Sequence, residues 1–318
     1  MVIIRLMGGL GNQLQQYALY EKMRLTGHDV RLDTSWFREG AQRDVLAKRK
    51  IELEHFTNIE YKTAEKTDIK RLRGSDSVMA RGIRKITGIN LFGRKHRFME
   101  NGRQYCPEIF EMDDAYLEGY WACEMYYHDI LPALRDKISF EDSLETRQQR
   151  LIDMRNRERD DDLNSIEEGE SVSIHIRRGD YLDSANLDEY KNICTPKYYD
   201  TAEKYIREYV KNPHFYIFSD DTEYAREHYK GNEYTVVDVN HGDDSYKDIG
   251  LMSACRHHIS ANSTFSFWGS RLGTNADKIQ IRPSIQRNSQ VCVPENMHVW
   301  WKDWVLINPE GEIICANR

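Results

Sequence analysis

His175, Arg177, Arg178 and Asp180 crowd into one stretch, Ser171 to Tyr181, which reads SVSIHIRRGDY. A guanidinium offers a fixed fork of donors suited to phosphate oxygens. An ordinary Arg-Arg pair meets surface carboxylates, but this one follows an apolar run and is flanked by His175, Gly179 and Asp180. The element that must position it is a strand. Val172, Ile174 and Ile176 alternate with Ser173, His175 and Arg177, and Gly179 ends the run. The charged residues therefore fall where a buried strand passes into a loop. In α/β folds ligands bind there, outside the carboxyl ends of the strands. Successive side chains alternate in direction, so at most one of the two arginines points into a given site.

The rest of the second half repeats this arrangement. Phe215 to Asp221 reads as a strand ending in two acids, Asp220 and Asp221; Thr235 to Asp238 is another, with Asp238 to Asn240 at its end. His258 to Asn262 is a strand that stops at Asn262-Ser263-Thr264, and Phe265 to Leu272 begins a helix that Ser263 or Thr264 can cap. Helices are expected over Pro196–Val210, Tyr224–Tyr229 and Lys247–Cys255, and Ile279–Ile281 is the last strand. Four polar clusters, the last being Asn262 to Ser266, converge on one sheet edge. They suit a nucleoside diphosphate: Asp220 or Asp221 can accept from the N1–H and exocyclic amine of guanine, while an Arg and helix-start hydroxyls suit the diphosphate. No Asp-x-Asp sits at a strand end; Asp160-Asp161-Asp162 lies in a charged linker. The expectation is therefore no metal and no cofactor, with leaving-group charge met by Arg.

The N-terminal half opens with a short strand, Val2 to Leu6, then Gly8-Gly9-Leu10-Gly11-Asn12-Gln13, then a helical pattern from Leu14 to Leu25. Strand, Gly-rich turn and helix aim backbone N–H groups at an anion. The spacing is neither GxGxxG nor a Walker A loop, and by itself such a turn is equally a packing device; Asn12 and Gln13 add donors. Val30 to Asp33 gives β-α-β and a parallel sheet. Residues 62–97 hold 11 Lys or Arg against three acids, which reads as a solvated basic face. Tyr116 to Trp121 is a strand, and Met125 to Ile138 a helix broken near Pro132. The aromatic residues Tyr116, Tyr120, Trp121, Tyr126 and Tyr127 read as core ahead of sugar platform. Residues 147–170 are highly charged and place a domain boundary, giving domains 1–150 and 151–318.

Composition excludes several classes. At 318 residues, 40% hydrophobic, 31% charged and net charge −7, the chain is a globular protein without a broad nucleic-acid surface. No stretch approaches the ~20 apolar residues of a membrane span, and no N-terminal signal is visible. The six cysteines, 106, 123, 194, 255, 292 and 315, show no CxxC pair, so reduced thiols in a cytoplasm are expected.

HIRRGDY at 175–181, GGLGNQ at 8–13, FSDD at 218–221 and LMSACRHHISANSTFSFWG at 251–269 together resemble the bacterial α-1,2-fucosyltransferases, which share HxRRxD with the α-1,6- and protein O-fucosyltransferases. YLEGYWACEMYY at 116–127 is similar to a family stretch of the form GYxQSxxYF. The resemblance implies an α/β fold of two Rossmann-like domains facing across a cleft, the GT-B type. The N-terminal one would serve the acceptor and the C-terminal one the nucleotide sugar. It implies GDP-fucose as donor, a galactose-terminated oligosaccharide or glycolipid as acceptor, transfer to the 2-hydroxyl with inversion, a part in O-antigen biosynthesis, and metal independence. By position, Arg178 would hold the β-phosphate. His175, Asp220 and Asp221 would lie near the guanosine, and Asn262, Ser263, Thr264 and Ser266 near the diphosphate. Gly9, Gly11, Asn12 and Gln13 would close over the donor. Where the family has Ser-Ser-Phe-Ser-Trp-Trp, this chain has Ser263-Thr264-Phe265-Ser266-Phe267-Trp268; the hydroxyl and the large ring are kept. The α-1,6 relatives' acid after HxRRxD is replaced by Ala185, which leaves Asp180 and Asp33 as candidate bases. The alternatives are transfer from another nucleotide sugar, or a nucleotide- or carbohydrate-binding protein without turnover. The expected setting is cytoplasmic, with the basic run open to peripheral contact with the inner face of a membrane.

Overall fold

A computed structural model of the chain describes residues 1–38, 41–42, 48–74, 96–100, 105–157, 170–181, 187–288, 300–301 and 303–316. The chain divides into two compact units, Met1–Ser139 and Phe140–Arg318. Each is α/β and built on its own sheet.

In the first unit, β1 (Val2–Arg5), β2 (Val30–Asp33), β3 (Arg97–Met99) and β4 (Ala115–Glu118) form a fully parallel sheet in the order β2-β1-β4-β3. Helix α1 (Leu10–Leu25) joins β1 to β2, and α2 (Lys66–Arg73) packs against β4. Ile3, Leu72 and Tyr116 meet in its core. Helix α1 starts at Leu10, four residues before the helical pattern becomes apolar. Gly11, Asn12 and Gln13 thus lie in its first turn, and only Gly8 and Gly9 form the connection. Pro132 does not break a helix. It sits in the first turn of α3 (Leu131–Lys137), where its missing N–H costs nothing; 3₁₀ turns precede it.

In the second unit, α4 (Leu144–Arg157) is not a free surface helix, for Leu151 and Met154 are buried against the sheet. The strands are β5 (Ser171–Ile176), β6 (His214–Ser219), β7 (Tyr234–Val237), β8 (His257–Ile259), β9 (Gln280–Pro283), β10 (Val305–Ile307) and β11 (Ile313–Ala316). Between them run α5 (Leu187–Tyr190), α6 (Pro196–Tyr209), α7 (Thr222–His228), α8 (Lys247–Ala254) and α9 (Thr264–Leu272). The order is β11-β10-β9-β8-β5-β6-β7, parallel except for the β10–β11 pair. Without β11 this is the doubly wound order 3-2-1-4-5-6. The sheet is covered on both faces. Val172, Ile174, Phe215 and Ile217 pack with Tyr198, Ala202 and Ile206 of α6, while Tyr216, Phe218 and Val237 pack with Leu151, Leu251 and Met252. The period-2 alternation of β5 and β6 sorts these residues between the faces.

Strand order then fixes the site. The chain leaves β5 to one side for β6 and β7 and returns to the other side for β8. The reversal lies between β5 and β8, so the Arg177-Arg178 loop and the Asn262-Ser263-Thr264 loop emerge side by side. This is the switch point at which open α/β sheets bind ligands.

The cysteines described, Cys106, Cys123, Cys194, Cys255 and Cys315, are free thiols, as expected; Cys292 lies outside the described residues. Among those residues no helix is long and apolar enough to cross a membrane. The centre of the basic run, 75–95, also lies outside them.

Candidate active site

The carboxyl edge of the second sheet is built around the two acids that end β6. Asp220 is spent on the neighbouring loop. Its Oδ2 pairs with Arg177 Nη1 at 2.8 Å and its Oδ1 accepts from the Arg178 backbone N–H at 2.9 Å. A Cβ on Gly179 would come within 2.5 Å of the same carboxylate, so only glycine fits there. The reading of Asp220 as a guanine acceptor is corrected on this ground: both of its oxygens hold the HIRRG loop.

Asp221 does two jobs. It caps α7, its Oδ1 accepting from the Tyr224 N–H at 3.0 Å, and its Oδ2 accepts from Arg178 Nε at 3.0 Å. The Tyr224 amide and then Arg178 hold its carboxyl below the usual carboxylate range. Asp221 is thus turned toward Arg178, not toward a base. Arg178 lies with its guanidinium carbon 3.8 Å from the centroid of the Tyr224 ring. One nitrogen is therefore pinned and one face covered. Among the described residues its terminal nitrogens take no hydrogen bond. Both arginines have carboxylate partners, so alternation along the strand does not distinguish them; what distinguishes Arg178 is the half of its fork left over.

His175 is 5% exposed, lies 5.9 Å from the Phe265 ring, and its Nδ1 has no hydrogen-bond partner. Burial, aided by Arg177, lowers its pKa to about 3. It is a neutral imidazole at any physiological pH and lends no positive charge to a phosphate.

On the β8 side, Ser263 caps α9, its Oγ accepting from the Phe265 N–H at 3.2 Å. Ser266 is buried and donates to the Ser263 carbonyl at 3.2 Å. Asn262 is 1% exposed: its Nδ2 donates to the Gln286 carbonyl and its own carbonyl accepts from Gln286 Nε2. Asn262 and Ser266 therefore shape the loop from beneath, and neither faces a diphosphate. Thr264, half-buried at the first position of α9, brings the remaining hydroxyl to that helix start. Asp180 lies in a 3₁₀ turn, Gly179–Tyr181, and its side chain is outside what the structure describes.

In the first unit, Gly9 is the residue before α1, and Gly8 adopts φ +83°, where a Cβ would meet Asn12. Gln13 is fully buried. Its Nε2 donates to the carbonyls of Gly8 and Lys50, and its Oε1 accepts from the Glu52 N–H at 2.8 Å. It clamps the glycine turn to segment 50–52 and has no capacity left for a ligand, which corrects its assignment to the donor. Gly11 is buried in the same turn, and Asn12 is half-buried. Asp33 is corrected as well. It is 0% exposed, with Oδ1 accepting from the Ser35 N–H at 2.8 Å and Oδ2 from the Tyr116 hydroxyl at 2.6 Å. A carboxylate so enclosed reaches no substrate hydroxyl.

Four residues at these edges escape sequence reasoning. Tyr224 follows Asp221 at the N3 spacing that a helix cap requires, a signal that could have found it. Arg49 brings its guanidinium carbon to 3.7 Å from the place of a Gly9 Cβ, a contact with no local signature. Tyr181 stacks on Tyr190 at 4.2 Å. Asp248 of α8 accepts from Asn240 Nδ2 at 2.6 Å, and burial pushes its carboxyl up to about 7.

The Glycosyl transferase family 11 model matches residues 98–308, a span that contains every second-unit residue named above. The chain is 28% identical over 289 residues to the alpha-1,2-colitosyltransferase of Escherichia coli, covering 89% of this chain and 91% of that protein. It is 29% identical over 294 residues to the O-antigen biosynthesis glycosyltransferase WbnK of Escherichia coli, covering 87% and 92%. It is 26% identical over 170 residues to galactoside alpha-(1,2)-fucosyltransferase 1 of Ateles belzebuth, covering 52% and 45%.

Proposed function

The chain belongs to glycosyl transferase family 11, and we propose that it moves L-fucose from GDP-fucose to the 2-hydroxyl of a terminal galactoside. Two of its relatives are named as an alpha-1,2-colitosyltransferase and an alpha-(1,2)-fucosyltransferase, which supports the α-1,2 linkage. The third is named for O-antigen biosynthesis, which supports a bacterial surface glycan as acceptor.

The observation that carries the reading is the pose of Arg178. Asp221 and Tyr224 hold its guanidinium, and its terminal nitrogens remain for a bidentate contact at the switch-point edge. The start of α9, with Thr264, emerges from the adjacent strand and adds backbone donors for the same anion. In this account the acceptor oxygen attacks C1 of the sugar as the bond from C1 to the β-phosphate oxygen breaks. GDP leaves with the bonding pair, and its growing charge is met by Arg178. The hydroxyl proton passes to a base or to water; Asp180 remains the candidate from HxRRxD. No divalent metal is assigned a step.

Isothermal titration with GDP, UDP and CDP tests the nucleotide class. GDP should bind at least tenfold tighter than the other two, and Arg178→Ala should weaken it. Equal binding of all three would overturn the assignment to a guanosine donor.

A further inference from the structure

Tyr116, Trp121, Tyr126 and Tyr127 are all fully buried, but Tyr120 is 44% exposed. Exposure of one tyrosine is ordinary; the backbone that presents it is not. Trp121 next to it has φ +54°, a conformation that bulky side chains avoid and that costs roughly 1–3 kcal/mol. Such a residue persists only where its surroundings over-determine it, and here they do. The Glu100 carboxylate accepts from the N–H groups of both Tyr120 and Trp121, each at 2.8 Å. A side chain on Gly119 would collide with Glu100. Gln16 of α1 donates to the Gly119 carbonyl at 3.0 Å and accepts from the Met7 N–H at 2.9 Å. The Trp121 ring is locked beneath, stacked on Phe98 and edge-on to Tyr126.

The result is a rigid turn at the carboxyl end of β4. Gln16 ties it to the β1 end, from which the glycine connection springs. The turn sends one indole inward and one phenol outward. Strain held by three separate anchors is of no use to packing alone, because a relaxed Trp121 could fill the same core.

We propose that Tyr120 is the stacking platform for a pyranose ring of the acceptor. This rests on the reading of the chain as a glycosyltransferase. A pyranose presents C–H bonds on one face and hydroxyls at its rim, and a half-exposed phenol offers an apolar face with a polar tip. A tyrosine on a locked turn makes such a contact at low entropic cost.

The test uses the full chain, with lactose and N-acetyllactosamine as probes, in saturation-transfer NMR and in transfer kinetics. In the wild type, saturation should reach the sugar C–H protons. Tyr120→Ala should lose that transfer and raise the acceptor KM roughly three- to tenfold, the scale of one aromatic contact. The donor KM and GDP titration should not change. Tyr120→Phe should retain both the NMR contact and the KM. The proposal is overturned if Tyr120→Ala keeps the wild-type contact and KM, or if the wild type shows no contact with either sugar. If the sugars bind through Tyr120 but GDP does not bind, the donor reading fails and the platform stands.

Discussion

Arg178→Lys is the perturbation that separates charge from geometry. The guanidinium is fixed by one hydrogen bond from Nε to Asp221 at 3.0 Å and by the Tyr224 ring at 3.8 Å. Two nitrogens then project in a known plane. A lysine ammonium is a single point; if it reaches Asp221 it leaves the phosphate, and it does not stack as a plane. The charge survives and the preorganised fork does not. Losing one preorganised donor to a developing oxyanion costs about 10²–10³ in kcat, or roughly 2.7–4 kcal/mol. We therefore expect kcat to fall by about 10²-fold in Arg178→Lys and by at least as much in Arg178→Ala. GDP affinity should fall less, since contacts to the nucleoside remain. Stability should scarcely move. The pair with Asp221 is about one-third exposed on each side, a setting in which ion pairs contribute little, and Asp221 still caps α7 without it. Arg177→Lys should lose less than tenfold in kcat, because a lysine can keep the pair with Asp220. Steady-state kinetics at saturating GDP-fucose and melting temperatures on the three variants read this out. A near wild-type kcat for Arg178→Lys would refute the reasoning, as would a dead Arg177→Lys with an unchanged melting temperature.

Asp33→Asn should lower stability by about 1–3 kcal/mol, the cost of disturbing a buried acceptor, and leave kcat within a fewfold; a hundredfold loss in kcat at unchanged melting temperature would restore Asp33 as a base. Asp248 titrates at about 7 folded against 3.8 as a model carboxyl, so the unfolded chain gives up that proton first. Stability should fall as pH rises from about 4 to about 7, by up to about 4 kcal/mol, and this group should add nothing further above that range. Asp248→Asn should flatten that limb of a melting-temperature-against-pH curve, and an unchanged slope would contradict it. Transfer should proceed undiminished in EDTA; loss restored by Mg²⁺ or Mn²⁺ would assign a metal to the leaving group.

Much of this site was legible because its signals are local. The alternation from Val172 to Ile176 gave β5 its register, and Gly179 marked its end. Ser263 was readable as a cap, and the two acids after Phe218 as a strand end. What these residues hold was not legible. Asp220, Asn262 and Gln13 are polar residues at turns, and a ligand or a neighbouring loop would leave the same letters there. Only the partners decide, and for Asp220 and Gln13 they lie about forty positions away in sequence. The start of α1 was misjudged because its first turn, Leu10 to Gln13, carries two polar residues and a glycine and shows no apolar period. Strand β3 was missed because Arg97–Met99 is three residues long, and β11 because its isoleucines are exposed on a sheet edge. The strained turn at Trp121 leaves no trace in the sequence, because backbone φ there is imposed by Glu100 and Gln16 from elsewhere in the fold.

The account's central claim is a single reaction, and product analysis tests it most directly. The full chain is incubated with GDP-fucose and lactose, and the trisaccharide is examined by mass spectrometry and NMR. The account predicts one fucose joined through an α linkage to the 2-hydroxyl of galactose, with GDP released in equal amount. Transfer from a UDP- or CDP-sugar with none from a GDP-sugar, or GDP-fucose hydrolysis without transfer to any galactoside, would contradict it.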